Sequence, residues 1–326
     1  MIGGAGDWER LLRFLRHAWE LPALTLMRPP RRVTGGYSRR LWLLELAAPE
    51  RPEAWRVQLR CAGSGTASLA VEMARLQWLT ARGYPVPPPV LWVEDRAVLG
   101  EPFGLVNWVT GATLAEAIRT AGWRADGGEG RAVGMLLARL HALSPEGFPA
   151  DSGRGSLLPA LSAVAGLIGP SRTTNLRAWF DHHQGPPVDR APRVCHRDLH
   201  PMNVVLSPAG PVVLDWELAA VADPLADVAM TQVLVEATGG TDPFDGTGNP
   251  AAYSRYNADV LAAYQTCLPA PEADLRYFRM LAICRRLGDI AGAWQGPAKS
   301  AAARADLEAE ETAAIRALDL ELTTAG

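Results

Sequence analysis

His196-Arg197-Asp198-Leu199-His200-Pro201-Met202-Asn203 is the stretch that most constrains the fold of this 326-residue chain, together with Asp215-Trp216-Glu217 twelve residues later. Two short apolar runs, 204–206 and 212–214, lie between these motifs and flank a Ser-Pro-Ala-Gly-Pro turn. Such a pattern predicts a β-hairpin. Asn203, the last residue of the first motif, would lead into one strand. Asp215, the first residue of the second motif, would follow the other strand. We therefore expect both motifs at the same end of the hairpin.

Three residues of these motifs, Asp198, Asn203 and Asp215, carry oxygen atoms on short side chains. Phosphoryl transfer needs a carboxylate near the attacking hydroxyl and oxygen ligands that hold Mg²⁺ against the nucleotide phosphates. Because one hairpin could present all three side chains, the spacing predicts a site that moves phosphate.

Length, charge and cysteine content limit the possible classes of protein. At about 150 residues per domain, 326 residues with 48% hydrophobic side chains predict two domains. The net charge of -3, without a run of basic residues, argues against a nucleic-acid partner. The cysteines show no CxxC pair, which favours reduced, structural thiols and a cytoplasmic location. They are Cys61, Cys195, Cys267 and Cys284.

Neither secretion nor membrane insertion is expected. The N-terminal region interrupts its apolar residues with charges at Asp7, Glu9, Arg10 and Arg13, unlike a signal peptide. No stretch approaches the roughly 18 consecutive apolar residues of a membrane helix. The sequence contains no signal for an oligomeric state.

Arginine is almost the only permanent cation in the chain, since Lys299 is the single lysine. Any cation that binds phosphate is therefore expected to be arginine. A guanidinium binds phosphate through a planar fork, whereas an ammonium group acts as a point charge.

The first hundred residues predict a small strand-rich lobe. An amphipathic helix is expected at 7–20 with Asp7 as its N-cap. A glycine turn follows at Gly35-Gly36-Tyr37-Ser38, and strands are predicted at 41–46 and 55–60.

A carboxylate on an apolar helix face gives a specific expectation. Glu72 falls among the apolar residues of a helix predicted at 68–80. Burial of an ionised carboxylate without a partner is costly. Arg60, at the end of the preceding strand, is the best candidate, so we predict an Arg60–Glu72 ion pair.

Strands are predicted to resume at 90–93 and 103–109, and Thr113-Leu114-Ala115-Glu116 matches a helix-starting capping box. Beyond residue 113 helical patterns dominate. They cover 131–143, 157–168, 175–183, 224–237, 251–267, 272–294 and 301–318. We therefore predict an α+β chain with an N-terminal nucleotide-binding lobe at 1–106 and a helical lobe at 107–326, and we expect the nucleotide between them.

These residues resemble the aminoglycoside phosphotransferase and choline kinase group of small-molecule kinases, which share the two-lobed protein-kinase fold. The resemblance covers about 30–295 and is strongest at 196–203, 215–217 and Asp223-Pro224-Leu225-Ala226-Asp227. The stretch 278–292 is similar to the branch related to the kinase-like domain of acyl-CoA dehydrogenase fusion proteins.

The resemblance implies a role for each candidate residue. Asp198 would be the catalytic base, Asn203 and Asp215 would bind Mg²⁺, and Arg60, positioned by Glu72, would contact the nucleotide phosphates. The glycine turn would cover those phosphates, and Trp108 would lie at the nucleotide site. The implied nucleotide is ATP, with GTP left open, and the implied acceptor is a hydroxyl group of a small molecule.

Three positions depart from the group, namely Arg60 for lysine, and Arg197 and Met202 for glycines. These departures prompt an alternative, a nucleotide-binding pseudokinase or regulatory protein. His-Arg-Asp is also the protein-kinase spelling, but only seven residues separate Asp215 from Asp223. That gap has no room for an activation segment, so a small-molecule acceptor is favoured over a protein.

The identity of the acceptor stays open. Acidic side chains at Asp242, Asp245, Asp259, Glu272 and Asp274 would suit a polycationic aminoglycoside or form a solvated face. Several arginines would instead suit an anionic acceptor. They are Arg255, Arg276, Arg279, Arg285 and Arg286.

Overall fold

The chain forms two compact units, one rich in strands and one rich in helices. The strand-rich unit comprises Met1–Thr110, Pro149–Asp151 and Val212–Glu217, and the helix-rich unit comprises Gly111–Phe148, Ser152–Pro211 and Leu218–Gly326. The computed structural model describes residues 4–33, 39–61, 68–123, 126–149, 161–183, 185, 190–236, 250–296 and 299–323. This arrangement confirms the predicted α+β class.

One antiparallel sheet dominates the strand-rich unit. Its strands are β1 Thr25–Leu26, β2 Arg31–Val33, β3 Arg40–Ala48, β4 Arg51–Cys61, β5 Pro89–Val93 and β6 Phe103–Asn107. Their order is β1-β3-β4-β6-β5, and β2 pairs with another part of β3. The alternating residues of β4, with Val57 and Leu59 fully buried, explain why the strand prediction here is confirmed.

A helix at the N-terminus completes the core of this unit. Helix α1, Ala5–Ala18, buries Leu11 and Leu15 in the apolar cluster formed with the sheet. Asp7 is not the N-cap, so that prediction is wrong. Gly4 occupies the N-cap, and the Asp7 carboxylate accepts a hydrogen bond from its backbone N–H at 3.0 Å, as an acidic residue in the first turn can do.

The second helix packs closely on the sheet. Helix α2, Leu69–Ala81, contributes Met73 to the interface. A Cβ at Gly104 of β6 would lie only 2.6 Å from the Met73 sulfur. The absence of a side chain at this position lets α2 approach the strand that pairs with β4.

The helix-rich unit follows the predicted helical patterns. Its helices are α3 Leu114–Ala121, α4 Gly128–His141, α5 Leu161–His182, α6 Pro224–Glu236, α7 Pro250–Gln265, α8 Glu272–Gln295 and α9 Ala301–Thr323. The capping box of α3 is confirmed, because Thr113 accepts from the backbone of Glu116 and Glu116 accepts from the backbone of Thr113. The two helices predicted at 157–168 and 175–183 correspond to the single element α5, which is kinked at Gly169, where φ is 79°.

Short strands position the motif segments. They are β7 Ala112–Thr113, β8 Arg193–Cys195, β9 Val204–Ser207, β10 Gly210–Val213 and β11 Ala220–Ala222. One sheet has the order β10-β9-β7, and β8 pairs with β11. Adjacent β9 and β10 confirm the predicted hairpin, whose turn is closed by a 2.7 Å bond from the Ser207 hydroxyl to the Gly210 carbonyl.

Helices α4 and α7 pack with almost no space between their backbones. A Cβ at Gly130 would lie 2.6 Å from the Tyr256 carbonyl oxygen, and a Cβ at Gly134 would lie 2.3 Å from that of Val260. The two glycines therefore set the separation of these helices.

No helix in the described ranges of the chain combines the length and apolar character needed to span a bilayer.

We expect Gly134→Ala to destabilise the protein by about 1–3 kcal/mol, because the added methyl group would force α4 and α7 apart. Urea unfolding followed by circular dichroism measures the loss. Gly166→Ala in α5 is the matched control, since nothing lies within 4 Å of its Cβ position. The control should be neutral or stabilising by roughly 0.5–1 kcal/mol, and equal destabilisation by both changes would contradict the packing argument.

Candidate active site

The loop that carries Asp198 begins directly after a buried strand. Strand β8 ends at Cys195, which is fully buried and lies opposite Ala220 of β11. A short 3-10 helix, Pro201–Asn203, ends the loop and leads into β9. Residues 196–203 are thus held between two strands; they are called the catalytic loop below, after the role that the sequence analysis predicts for Asp198.

A buried carboxylate fixes the backbone of the catalytic loop. Asp227 of α6 is 0% exposed. Its Oδ2 accepts from the His196 N–H at 2.7 Å and its Oδ1 from the Arg197 N–H at 2.6 Å. Because both bonds are charge-assisted and shielded from water, they hold the start of the loop rigidly.

Two further buried side chains hold Asp227 in turn. The His141 Nε2 lies 3.1 Å from Asp227 Oδ2, and the His141 Nδ1 lies 3.0 Å from the Tyr264 hydroxyl. Burial alone would raise the pKa of the Asp227 carboxyl, but the hydrogen bond and charge of His141, the charge of His196 and the Arg197 N–H lower this pKa below its usual value. The carboxylate is therefore ionised at neutral pH.

Asp223 and Asp227 flank the predicted start of a helix, where capping is the expected role of both. For Asp227 this prediction is wrong. Asp223 has that role, since its Oδ1 accepts from the Leu225 N–H at 2.9 Å, while Asp227 lies one turn inside the helix. The signal that could have identified Asp227 is the one used for Glu72, namely an acidic residue among apolar helical neighbours. His141, on the apolar face of α4, carried a similar signal.

Distance alone would also allow a metal ion at this network. Ligand atoms of His141, Cys195 and Asp227 lie within 4.8 Å of one another. However, both Asp227 oxygens already accept hydrogen bonds, and burial raises the pKa of the Cys195 thiol well above its usual value. A thiolate ligand is therefore disfavoured, and the cluster is a hydrogen-bonded support. Cys195 is a free, buried cysteine, in agreement with the expected structural thiol.

Within the loop, the Asp198 carboxylate is accessible, whereas the side chains of His196, His200 and Asn203 make hydrogen-bonding contacts within the loop. Its side chain is 28% exposed. The His196 Nδ1 accepts from the Asp198 backbone N–H at 3.2 Å, so this histidine supports the backbone of the loop. The Asn203 Nδ2 donates to the Asp198 carbonyl at 2.9 Å and lies 3.2 Å from the His200 Nε2.

Arg197 adopts a backbone conformation that L-residues rarely accept. Its φ is 69°, in the left-handed region. Related proteins are expected to have glycine here, and glycine adopts this conformation without steric cost. The neighbouring bonds hold Arg197 in place, because its N–H binds Asp227 and its carbonyl accepts from Arg285 at 3.4 Å. Met202, the other departure, is 43% exposed.

The segment that carries Asp215 is anchored within the strand-rich unit. Trp216 is fully buried against Tyr84. Its carbonyl and that of Glu217 accept from the buried Arg75 guanidinium of α2 at 3.1 and 2.8 Å. Asp215 itself is exposed and has a φ of 58°, a left-handed conformation that aspartate tolerates better than most residues.

The predicted Arg60–Glu72 ion pair is confirmed. The Arg60 Nη1 donates to Glu72 Oε1, and the Arg60 Nε donates to Gln58 at 2.9 Å. The structure adds a partner that the sequence did not reveal, because the Arg39 Nε lies 2.7 Å from Glu72 Oε2 and 3.8 Å from Glu217 Oε2. Glu72 therefore interacts with two arginines.

The remaining nucleotide-site candidates stay predictions. Gly35, Gly36, Tyr37 and Ser38 lie outside the described residues. Trp108 is half-buried, and its backbone N–H donates to the Arg56 carbonyl at 3.0 Å.

Some of the acceptor candidates of each charge are paired with protein side chains. Among the acidic set, Asp274 binds Arg190, and Asp242 and Asp245 fall outside the described ranges. Among the basic set, Arg276 and Arg279 bind Glu321.

The model of the phosphotransferase enzyme family matches residues 30–278. The chain belongs to this family. A relative of this family member, acyl-CoA dehydrogenase family member 11 of Gallus gallus, is 27% identical over 165 residues, which is 46% of this chain and 21% of the relative. The match thus spans about a fifth of that relative's length.

Solved structures resemble this phosphotransferase family member along nearly its whole length. A proposed aminoglycoside phosphotransferase of Ralstonia eutropha has a TM-score of 0.70 at 16% identity, covering 98% of both chains. Amicoumacin kinase hAmiN, in complex with AMP-PNP, Ca²⁺ and Ami, has a TM-score of 0.62 at 14% identity, covering 96% of both chains. The predicted protein-kinase-like fold is confirmed.

We expect Asp227→Asn to destabilise this family member by about 3–5 kcal/mol at pH 7. The neutral amide removes the buried negative charge that His141 and the two backbone N–H groups of the loop bind. The native pKa is lowered, so the stabilisation is complete above about pH 4 and is lost as the pH falls through the native value. Urea unfolding at pH 7 and 3.5 should therefore show a smaller difference between variant and wild type at the lower pH.

Asp319→Asn is the control for this experiment. Its carboxylate forms an ion pair with Arg172 in which both side chains are more than 40% exposed. The loss at pH 7 should be much smaller than for Asp227→Asn. A difference for Asp227→Asn that does not change with pH would contradict the assigned ionisation.

Proposed function

We propose that the chain is an ATP-dependent O-phosphotransferase that transfers the γ-phosphate to a hydroxyl group of a small molecule. Membership of the phosphotransferase enzyme family supports phosphoryl transfer. The proposal of ATP is supported by the complex of amicoumacin kinase hAmiN with AMP-PNP, and GTP stays open as an alternative nucleotide.

The proposal rests mainly on the environment of Asp198, which combines an accessible side chain with a firmly bound backbone. Its carboxylate is partly exposed, whereas the backbone before it is bound to the buried Asp227. A base that is accessible but fixed in direction is what proton abstraction from a hydroxyl group requires. A surface aspartate with only a structural role would not need so rigid a support.

In the proposed reaction, Asp198 accepts a hydrogen bond from the acceptor hydroxyl and orients its oxygen toward the γ-phosphorus. The new P–O bond forms as the bond between the γ-phosphorus and the β,γ-bridging oxygen breaks, and ADP leaves. The hydroxyl proton passes to Asp198 late in the step and then to solvent.

The donor atoms assigned to Mg²⁺ fit a hard cation. Among the described residues, none donates a hydrogen bond to the Asn203 Oδ1, because the loop contacts of that side chain use Nδ2. The Asp215 carboxylate is exposed and anionic. Amide and carboxylate oxygens are suitable ligands for this ion. When bound, Mg²⁺ would neutralise the charge on the β- and γ-phosphate oxygens.

Arg60, positioned by Glu72, would add positive charge at the nucleotide phosphates, and the turn at Gly35 and Gly36 would cover them. The acceptor is proposed to be a small molecule, because the short gap between Asp215 and Asp223 leaves no activation segment. We also propose a cytoplasmic location, since all four cysteines are free thiols.

Asp198→Asn is expected to lower phosphate transfer by about 10²–10⁴-fold, because the amide cannot accept the proton. Nucleotide affinity should stay unchanged. A screen for ATP consumption with aminoglycosides, macrolides, choline, sugars and hydroxyacyl compounds identifies the acceptor, and calorimetry measures the affinity. Asp319→Asn is the control and should retain wild-type turnover. Full turnover of the Asp198 variant with its acceptor would exclude the assignment of this residue as the base.

Asp215→Asn tests the metal assignment. The variant keeps an oxygen donor but loses the charge that attracts Mg²⁺. Thermal shift with ATP and increasing Mg²⁺ should show saturation at a higher Mg²⁺ concentration than for the wild type. Asp95→Asn, an exposed change in the same unit, should leave the titration unchanged. An unaltered Mg²⁺ requirement in Asp215→Asn would rule out this carboxylate as a metal ligand.

A further inference from the structure

Gln58 is a polar residue in an apolar part of the sheet. It lies within β4, opposite Leu43 of β3 and Val106 of β6. Both neighbours are buried, with 6% and 1% of their surface exposed. An apolar side chain would pack against such cross-strand neighbours, whereas an amide has to satisfy its hydrogen-bonding groups. The presence of glutamine at this position therefore needs a reason other than packing.

The contact between Gln58 and Arg60 supplies this reason. The two side chains lie on the same face of β4, because the residues are two positions apart. The Arg60 Nε donates to Gln58 Oε1 at 2.9 Å, which is a charge-assisted hydrogen bond. Since arginine has no acceptor atom, the glutamine atom in this contact must be the amide oxygen. The Gln58 amide is therefore oriented as an acceptor for Arg60.

Arg60 is thereby bound at two of its three guanidinium nitrogens, since Glu72 accepts from Nη1 and Gln58 accepts from Nε. A planar group that is bound at two nitrogens cannot turn about either contact, so the direction of the third nitrogen, Nη2, is fixed. In the part of the chain that the structure describes, Nη2 has no protein acceptor. This atom also reaches the surface, although only 8% of the side chain is exposed. Arg60 thus presents one oriented donor group outward.

We propose that Gln58 is a positioning residue of the nucleotide site and acts through Arg60. Glu72 provides one contact to the guanidinium group, and Gln58 provides the second, which prevents rotation about the first. The Nη2 group is thereby directed toward the nucleotide phosphates before the nucleotide binds. The proposal rests on the proposed function, because the anion that Nη2 would bind is the phosphate chain of the nucleotide.

A residue that acts through Arg60 has two measurable signatures. Its loss weakens the binding of ATP and ADP but not that of adenosine, which has no phosphate. Its loss also has no further effect once Arg60 itself has been replaced. A residue that only supports the fold would weaken the binding of all three ligands, whether or not Arg60 is present. Competition calorimetry in the presence of Mg²⁺ measures these affinities without any knowledge of the acceptor.

We expect Gln58→Met to raise the Kd for ATP by about 3- to 10-fold, the effect of one lost hydrogen bond. Methionine has a similar length but only a weak acceptor. The Kd for adenosine should change by less than about twofold. In an Arg60→Gln background, the same change should alter the Kd for ATP by less than about twofold. If Gln58→Met does not fold, Gln58→Asn tests the proposal by the same comparisons, because its shorter side chain moves the acceptor away from Arg60.

Gln77→Met is the matched control. Gln77 is an exposed glutamine of α2 in the same unit, and its replacement should leave the binding of ATP and adenosine unchanged. Equal losses for ATP and adenosine in the Gln58 variant, no loss for ATP, or an undiminished loss in the Arg60→Gln background would overturn the proposal while the proposed function stands. Wild-type ATP affinity in Arg60→Gln alone would overturn it as well. A wild-type protein that binds neither ATP nor ADP would overturn both.

Discussion

The conformation of the catalytic loop depends on Asp227, a buried carboxylate whose two oxygens both need hydrogen-bond donors. Asp227 has no access to water, and in the described part of the chain its charge is stabilised by His141 and by the backbone N–H groups of His196 and Arg197. The same bonds that satisfy Asp227 fix the loop backbone, and α4, α6 and α7 each contribute to them. The stability of the core and the geometry of the loop therefore depend on the same hydrogen bonds, and a change in one affects the other.

The strand-rich unit also contains a buried helical carboxylate that positions other groups, but its partners are different. Glu72 is a buried helical carboxylate, and its partners are the guanidinium groups of Arg60 in β4 and of Arg39, which precedes β3. The two carboxylates differ in what they hold. Asp227 holds a backbone, so it determines where a loop runs, whereas Glu72 holds side chains, so it determines where positive charge is presented. A phosphate-transferring protein needs both kinds of positioning, one for its base and one for its nucleotide.

Local patterns predicted the parts of the molecule that depend on local physics. Strand alternation located β4, the capping box located the start of α3, and the charge on an apolar helix face predicted the partner of Glu72. The prediction was less successful where distant segments decide the outcome. Asp227 was interpreted as a cap because its partners lie 30 or more residues away in the chain. Arg39 was missed because a turn residue has no periodic pattern that indicates burial.

The backbone strain at Arg197 could not be anticipated from the sequence alone. The comparison with glycine at this position indicated a difference but not its cause, which is the left-handed φ. Strain of this kind persists only where surrounding bonds determine the conformation, and here the N–H and carbonyl on either side of the residue are both engaged.

The glycines of α4 have a consequence for chemistry as well as for packing. Because Gly130 and Gly134 let α7 approach, the Tyr264 hydroxyl can reach His141, which in turn holds Asp227. The distance between two helix axes is thereby transmitted through the side chains of Tyr264, His141 and Asp227 to the backbone that precedes Asp198. A change in the spacing of these two helices would therefore move the backbone of the loop even if no residue of the loop itself were changed.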